Sequence, residues 1–348
     1  MSGAGRLNPV GSLTLREYPV DAAWSPDGRM LVVGLADGTL MRAQLAALQE
    51  PQALAAHTES VLAVAWQKAG RLWATSGQDG RVLLWDARSS EARLLQDERQ
   101  WSERLAFAER GTALAVATGR TLRVFDEAGQ LRYRHTGNTG AISALAWHPR
   151  ASELVTAGNG GALLHRIDLK GNPAGVAEDA AVPSPRALPL RAACVCMAFH
   201  PEGRLLAAGL QEGAVQLWNL ATGDASRLDG YGARVLAAEW SANGRYLATA
   251  SGDALVLWDF TSRDSPAPLR LPAHSERICA IGFRPGSNWL ASAARDRRLL
   301  WWRAGVGDSP QDAHLLADEC SLLRFSRDGT FLAVGDASGR LSIYRCEP

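Results

Sequence analysis

Eight times along this chain a short apolar run ends in an aromatic and enters a turn: VDAAWSPDG, VLAVAWQKAG, RLAFAERG, ISALAWHPRA, VCMAFHPEG, VLAAEWSANG, ICAIGFRPG and SLLRFSRDG. The closing aromatics are Trp24, Trp66, Phe107, Trp147, Phe199, Trp240, Phe283 and Phe325, spaced by 42, 41, 40, 52, 41, 43 and 42 residues. One unit therefore fills the chain, and a fixed period in the low forties marks a repeat architecture. Such a unit cannot bury its apolar face alone and must stack on its neighbours. A chain committed to eight copies of one unit also has little sequence left for a unique catalytic apparatus.

The second unit is the clearest. It reads His57, VLAVAW, a QKAGR turn, LWATSG, a QDGR turn, VLLWD and, after a gap, ARLLQ. Runs of four to six residues rich in Val, Leu and Trp, bounded by Gly, Asp or Asn, are strand and turn signals. They predict four short antiparallel strands per unit, a to d from the inside outward. The third runs do not alternate: VLLWD at 82–86, VQLWN at 215–219, LVLWD at 255–259 and LLWWR at 299–303. Continuous apolar strands are buried on both faces, as in a sheet held between two similar sheets.

These features resemble the WD-repeat β-propeller family over essentially the whole chain. Trp85-Asp86 and Trp258-Asp259 match the dipeptide that names the family, with Trp218-Asn219 and Phe125-Asp126 as near matches. The resemblance implies a hydrogen-bonded set in each complete blade: a His before strand a, a Ser or Thr in strand b, an Asp in the b–c turn and the Trp of strand c. Two units match residue by residue, with His57, Thr75, Asp79 and Trp85, and with His274, Ser292, Asp296 and Trp302. The sixth unit has Thr249, Asp253 and Trp258 but carries Tyr231 at the His position, and the others largely lack the set.

The expected fold is all-β, a closed eight-bladed propeller of four-stranded antiparallel blades in a single domain over 1–348; a seven-bladed ring is the alternative. Seven candidate d strands follow the units, at 52–56, 92–96, 130–135, 186–191, 225–230, 268–272 and 313–317. The eighth unit has none, so the apolar segment Ser12–Leu15 is expected to supply it and close the ring, removing exposed edges. The long spacing of 52 arises from an insertion at 171–185, GNPAGVAEDAAVPSP, which has no hydrophobic period and reads as a c–d loop of the fourth blade.

Composition narrows the function. A formal charge of +1 argues against an electrostatic nucleic-acid binder. No run approaches the ~18 apolar residues of a membrane span, and the first residues lack the apolar core of a secretory signal. Five cysteines, four of them inside apolar strands, read as reduced thiols of a cytoplasmic protein. Only Lys68 and Lys170 are lysines among 37 Lys and Arg, the usage of a GC-rich, bacterial genome.

His57, Thr75 and Asp79, like His274, Ser292 and Asp296, superficially match a hydrolase triad. No glycine-flanked nucleophile elbow surrounds either hydroxyl, and recurrence in two blades points to structure. Cys194, Cys196 and His200 invite a metal reading. Along a strand, though, Cys194 and His200 would lie roughly 20 Å apart, whereas zinc ligands all sit about 2–2.3 Å from one ion. No catalytic residue, metal or cofactor is therefore assigned. Arg284, Arg295, Arg297, Arg298 and Arg303 concentrate in the seventh unit. They form either an ordinary solvated turn or a patch for an acidic partner.

Six residues before the closing aromatics stand Tyr18, Ser60, Trp101, Ala141, Ala193, Arg234, Arg277 and Glu319. In the family's geometry this position rings the mouth of the central channel on the face of the d–a and b–c loops. A second ring, at the residue before the b–c Asp, includes Gln78, Asn159, Gln211, Gly252 and Arg295. Trp, Tyr and Arg are the residues of interface hot spots. Arg234, Arg277 and Arg295 lie in neighbouring units and could converge on a carboxylate or phosphate. The expectation is a non-catalytic scaffold, monomeric or a subunit of a complex, binding a protein or peptide through Trp101, Arg234, Arg277, Arg295, Gln78, Asn159 and Gln211. The alternative is an enzyme with its active site in the channel, but the strand-a starts offer it neither clustered His nor paired carboxylates.

Overall fold

The computed structural model describes residues 5–89, 91–169, 184–261 and 266–347. These form eight four-stranded antiparallel sheets. The inner strands are Pro19–Trp24, Val61–Trp66, Arg104–Phe107, Ile142–Trp147, Cys194–Phe199, Val235–Trp240, Ile278–Phe283 and Cys320–Phe325. Each packs against the inner strand of the next blade, and the eighth packs against the first. The chain is an eight-bladed β-propeller, as its period predicts.

The last blade is completed from the other end of the chain. Leu7–Thr14 pairs antiparallel with Arg340–Cys346, from Leu7 opposite Cys346 to Thr14 opposite Arg340. This strand begins earlier than the expected Ser12–Leu15, and Leu15 lies just beyond it. The fourth d strand is shorter than expected, Arg186–Leu188, because the chain leaves the sheet at Pro189. Proline has no N–H for the ladder. Residues 171–183 of the insertion lie outside the described residues.

Burial follows the layering. Strands b of blades 2, 6 and 7 are buried from end to end, at Leu72–Gly77, Tyr246–Ser251 and Trp289–Ala294. The apolar residues gather into eight clusters, and each cluster joins two neighbouring blades. The core is thus a ring of interfaces between blades rather than one central mass. Leu7 enters the cluster between blades 7 and 8, while Leu13 and Leu15 enter the one between blades 8 and 1.

Local chemistry shapes the blades. In SPDG, SANG and SRDG, the hydroxyls of Ser25, Ser241 and Ser326 donate to Asp27, Asn243 and Asp328 at 2.5, 2.7 and 2.6 Å. The same oxygens accept the amides of Met30, Tyr246 and Phe331, each at 2.9 Å, which fixes the a–b hairpin. Seven of the eight a–b pairings also carry a register shift near the start of strand a, sparing only blade 3. A bulge of this kind re-aims a side chain and ends regular pairing.

The closing tryptophans have a further role. Trp24, Trp147 and Trp240 donate their indole N–H to the carbonyls of Arg324, Ala106 and Ala198 at 2.9, 2.9 and 3.1 Å. Each acceptor immediately precedes the closing Phe of the previous blade. The aromatic that ends the repeat therefore also fastens one blade to the next.

Candidate binding site at the channel mouth

The loops divide onto two faces. In seven blades a backbone bond joins the a–b turn to the chain leaving strand c, as in Ala87 N to Arg71 O and Ala304 N to Asn288 O. Others join most b–c turns to the chain around the d–a connection. Ala36, Gln78, Gln211, Arg295 and Ala337 donate to the carbonyls of Tyr18, Ser60, Ala193, Arg277 and Glu319 at 2.8–3.0 Å. Those acceptors are the residues six before the closing aromatic, so Tyr18 belongs in the ring, and the two rings meet on one face.

Beneath this face lie the expected side-chain networks. Nδ1 of His57 contacts Asp79 at 2.9 Å, and its Nε2 lies 3.0 Å from the Thr75 hydroxyl. Trp85 Nε1–H donates to that hydroxyl at 3.1 Å. In blade 7, His274 contacts Asp296 at 3.0 Å and Ser292 at 2.9 Å, and Trp302 donates to Ser292 at 3.0 Å. Burial holds both histidines below their ordinary pKa, against the opposing pull of Asp79 and Asp296. Burial raises the two carboxyls, but bonds from the imidazoles and from backbone amides outweigh it and leave them lowered. A neutral imidazole donating from Nδ1 and accepting at Nε2 satisfies every member. Thr75 and Ser292 are 0% exposed, so neither hydroxyl can reach a substrate.

Two blades use variants. In blade 6, the Tyr231 hydroxyl takes the place of the imidazole, 2.6 Å from Thr249, and accepts from Trp258 Nε1 at 2.7 Å. Blade 4 has a set that the sequence reading missed. Thr156 donates to Asn138 at 3.0 Å and contacts His165 Nε2 at 2.9 Å, while Tyr133 contacts His165 Nδ1 at 2.9 Å. His165 occupies the strand-c Trp position, and burial holds it neutral, with its pKa lowered to about 3. The signal was present as an Asn eighteen residues before a strand-b Thr, the spacing of His57 to Thr75.

On the surface of this face Trp101 is 50% exposed and Tyr18 40%. Arg234, Arg277, Arg295, Asn159 and Gln211 are exposed, and Gln78 is half-buried. Arg295 pairs with Glu319 at 3.2 Å, so its charge is matched within the chain. The Arg234 and Arg277 guanidiniums have no partner among the described contacts. The rest of the seventh-unit cluster disperses. Arg284 donates to Gly329 O at 2.7 Å on the other face, Arg298 to Ala273 O at 3.4 Å, and Arg303 lies 5.7 Å from the Trp289 ring.

Inside the channel the structure adds residues that the sequence reading did not single out. The residue before the closing aromatic is Ala or Gly in six units, but Glu239 in blade 6 and Arg324 in blade 8. Arg324 donates to Asp21 at 2.7 Å. Asp21 also accepts Ala22 N and Val64 N, each at 2.9 Å, and so ties three blades together. Arg104 donates to Ser143 O at 2.8 Å, and Ser143 to Cys194 O at 2.5 Å. Glu239 opens onto the lumen, where the surrounding wall raises its carboxyl to about 7 despite Arg324 nearby. A general acid needs a second group, and Asp21, Arg104 and Ser143 are engaged in holding blades together.

A concavity of about 700 Å³ lies between blades 5 and 6, lined by Leu217, Leu228, Trp258 and Phe260. Its arginines are already paired, Arg204 with Glu202 at 3.0 Å and Arg227 with Asp229 at 2.7 Å. The Cys194, Cys196 and His200 side chains turn to separate partners: Cys196 O, Val235 O and Gly244 O. Among the described residues no His, Cys, Asp or Glu group gathers with metal-ligand geometry.

Fold and site together define a closed β-propeller with structural His–Ser/Thr–Trp networks and an arginine- and aromatic-bearing mouth. The "WD domain, G-beta repeat" family model matches residues 8–41, 49–86, 190–219, 225–259 and 268–303. The chain belongs to the WD-repeat family. It is 20% identical over 88% of its length to WD repeat-containing protein slp1 of Schizosaccharomyces pombe. It is 23% identical over 90% to Cell division cycle 20.1, cofactor of APC complex, of Arabidopsis thaliana. It covers 54% and 60% of those two relatives, respectively. Pre-mRNA-processing factor 19 homolog 2 of Arabidopsis thaliana is 29% identical over 42% of this chain and 28% of its own. Their organisms lend no support to the bacterial source expected from arginine usage. Among solved structures, the computationally designed Ika8 protein superposes with a TM-score of 0.78 at 19% identity, covering 97% of this chain and 99% of its own. That likeness concerns the fold.

Proposed function

We propose that this chain is a non-catalytic scaffold that binds an acidic segment of a protein partner at the channel mouth, on the face of the d–a and b–c loops. The observation that carries the reading is the company of exposed Trp101 and Tyr18 with the unpaired Arg234 and Arg277 on one face. Large aromatics and arginines are the residues that concentrate binding energy at interfaces. Gln78, Asn159, Gln211 and the Arg295–Glu319 pair complete the polar surround. A relative named as a cofactor of the APC complex supports a role within an assembly. The formal charge of +1 favours a protein over a nucleic acid as the partner. The five unbridged cysteines favour a reducing compartment such as the cytoplasm. Against the enzyme reading stand the buried hydroxyls of Thr75 and Ser292 and the structural engagement of the polar channel residues.

The test begins with a partner captured at fixed stoichiometry from the source cells and titrated calorimetrically. Reversing Arg234 and Arg277 to Glu removes guanidinium partners from carboxylates, a loss that commonly costs about 2–5 kcal/mol. The same reversal at Arg71 and Arg166, which lie with the a–b turns, should leave affinity within a factor of a few. Equal losses from the two double variants, or loss confined to deletion of 171–185, would move the site off the mouth.

A further inference from the structure

Every b–c turn contains one residue with a positive φ, and in seven blades that residue is glycine. In blades 1, 2, 5 and 8 it is the third turn residue: Gly38, Gly80, Gly213 and Gly339, with φ from 78° to 85°. Blade 7 has Arg297 there, with φ 62°, the one non-glycine residue of positive φ among the described residues. Left-handed backbone is unfavourable for a residue with a Cβ outside the Asn/Asp/His class.

The fold leaves Arg297 no other conformation. Its amide donates to Ala294 O at 3.2 Å, as Gly38, Gly80 and Gly339 donate to Leu35, Gly77 and Asp336. Its carbonyl accepts from Leu316 at 2.7 Å, as Gly38 and Gly339 accept from His57 and Leu15. In blades 1 and 2 this position is also sterically closed. A Cβ would stand 2.3 Å from His57 O at Gly38 and 1.5 Å from Glu98 O at Gly80. Blade 7 both admits a side chain where those two blades exclude one and holds it in a costly conformation. Retained strain of this kind points to a use for the side chain.

Charge indicates the use. Around this turn Arg295 is matched by Glu319, and Arg298 is directed to Ala273 O. Asp296 is spent on His274 and on the amides of Ser275 and Arg298. Among the described contacts Arg277 and Arg297 are exposed without a side-chain partner, and Glu276, next to Arg277 in the chain, is exposed as well. We infer that Arg297 is a dedicated contact for a carboxylate of the partner, extending the mouth outward along the b–c turn of blade 7 from Arg277. This inference rests on the reading of the mouth as a site for an acidic segment.

The probe is a fluorescein-labelled peptide of alternating Glu and Ser, followed by anisotropy at low and high salt, with thermal melts of every variant. Arg297→Gly relieves the backbone and deletes the guanidinium. It should raise the melting temperature while weakening the peptide roughly tenfold or more. Arg297→Lys keeps both charge and strain and should hold most of the affinity without gaining stability. Arg71→Gly, on the opposite face, should change neither. A more stable Arg297→Gly protein that binds as well as the parent, or a loss no larger than that of Arg71→Gly, overturns the inference. If Arg234→Glu/Arg277→Glu abolishes binding while Arg297→Gly does not, the mouth survives and only this contact fails. If the parent does not bind the peptide, both readings fall.

Discussion

Closure by the N-terminal strand is the feature on which the whole ring depends, and it can be tested with two leucines. Leu7 is 1% exposed and fills the core between blades 7 and 8, beside Trp289 and Trp301. Leu13 is 4% exposed and fills the core between blades 8 and 1, beside Trp24. A buried Leu→Ala change costs about 2–5 kcal/mol in lost transfer energy and cavity. Six strand residues separate the two sites by roughly 20 Å, so their costs should add. Leu7→Ala/Leu13→Ala should therefore lose about 4–10 kcal/mol, against about 5–15 kcal/mol for an ordinary folded domain. Val10, 47% exposed on the same strand, is the internal control, and Val10→Ala should stay within about 0.5 kcal/mol. Urea unfolding followed by tryptophan fluorescence suits the question, because indoles sit in both cores. Light scattering should show association of the double variant once the edge of strand Arg340–Cys346 is freed. A Leu13→Ala cost no greater than that of Val10→Ala would refute the idea that this strand seals the ring.

Two further outcomes follow from the buried networks. His274→Ala removes the donor to Asp296 and the acceptor of Ser292, and should cost about 1–3 kcal/mol in chemical denaturation while binding persists well below the lowered melting point; an unaltered melting curve combined with a lost activity would return the triad to catalysis. His165 has a folded-state pKa of about 3, below the ordinary imidazole value, so the unfolded chain takes up the proton first. Its contribution is complete above pH ~6.5 and is lost as pH falls from there toward 3. His57 and His274 are shifted in the same direction. His165→Gln should therefore flatten the fall in melting temperature between neutral pH and pH ~4 without abolishing it, and an unaltered slope would contradict the buried, neutral assignment.

The blade count was legible because the repeat is written in side chains that pack between blades: the closing aromatics are buried or half-buried at the end of each inner strand, and Trp24, Trp147 and Trp240 bond to the blade before. The same holds for the His57 and His274 networks, whose members are fixed by type and spacing. Blade 4 escaped notice because its set keeps the geometry while exchanging the residues, Asn138 for His and His165 for Trp. Only three-dimensional proximity shows that Tyr133, on strand d of blade 3, completes it. The bulges in strand a were hidden for a different reason. They displace a register without changing the apolar composition, and one extra residue in a run of six leaves no periodic trace.

What distinguishes this propeller from any other stack of eight blades is therefore found where the repeat is broken. Most turns keep the residues the backbone asks for, with Gly at positive φ and Ser or Asp closing the hairpin. Trp101 stands where three other units carry Ser or Ala, and among the described contacts Arg234 and Arg277 lack the carboxylate that Arg295 finds in Glu319. Arg297 stands where four other blades carry glycine. Departures that stabilise nothing within the chain, and in one case oppose its backbone preference, all fall on the face of the d–a and b–c loops. On the other face some arginines are paired, Arg71 with Asp86, Arg166 with Glu153 and Arg245 with Asp259, while Arg29, Arg88, Arg110 and Arg150 are exposed there. Paired charges of that kind contribute little beyond solubility and local order. Unpaired guanidiniums beside exposed indole and phenol rings leave binding capacity unused until a partner supplies the carboxylates.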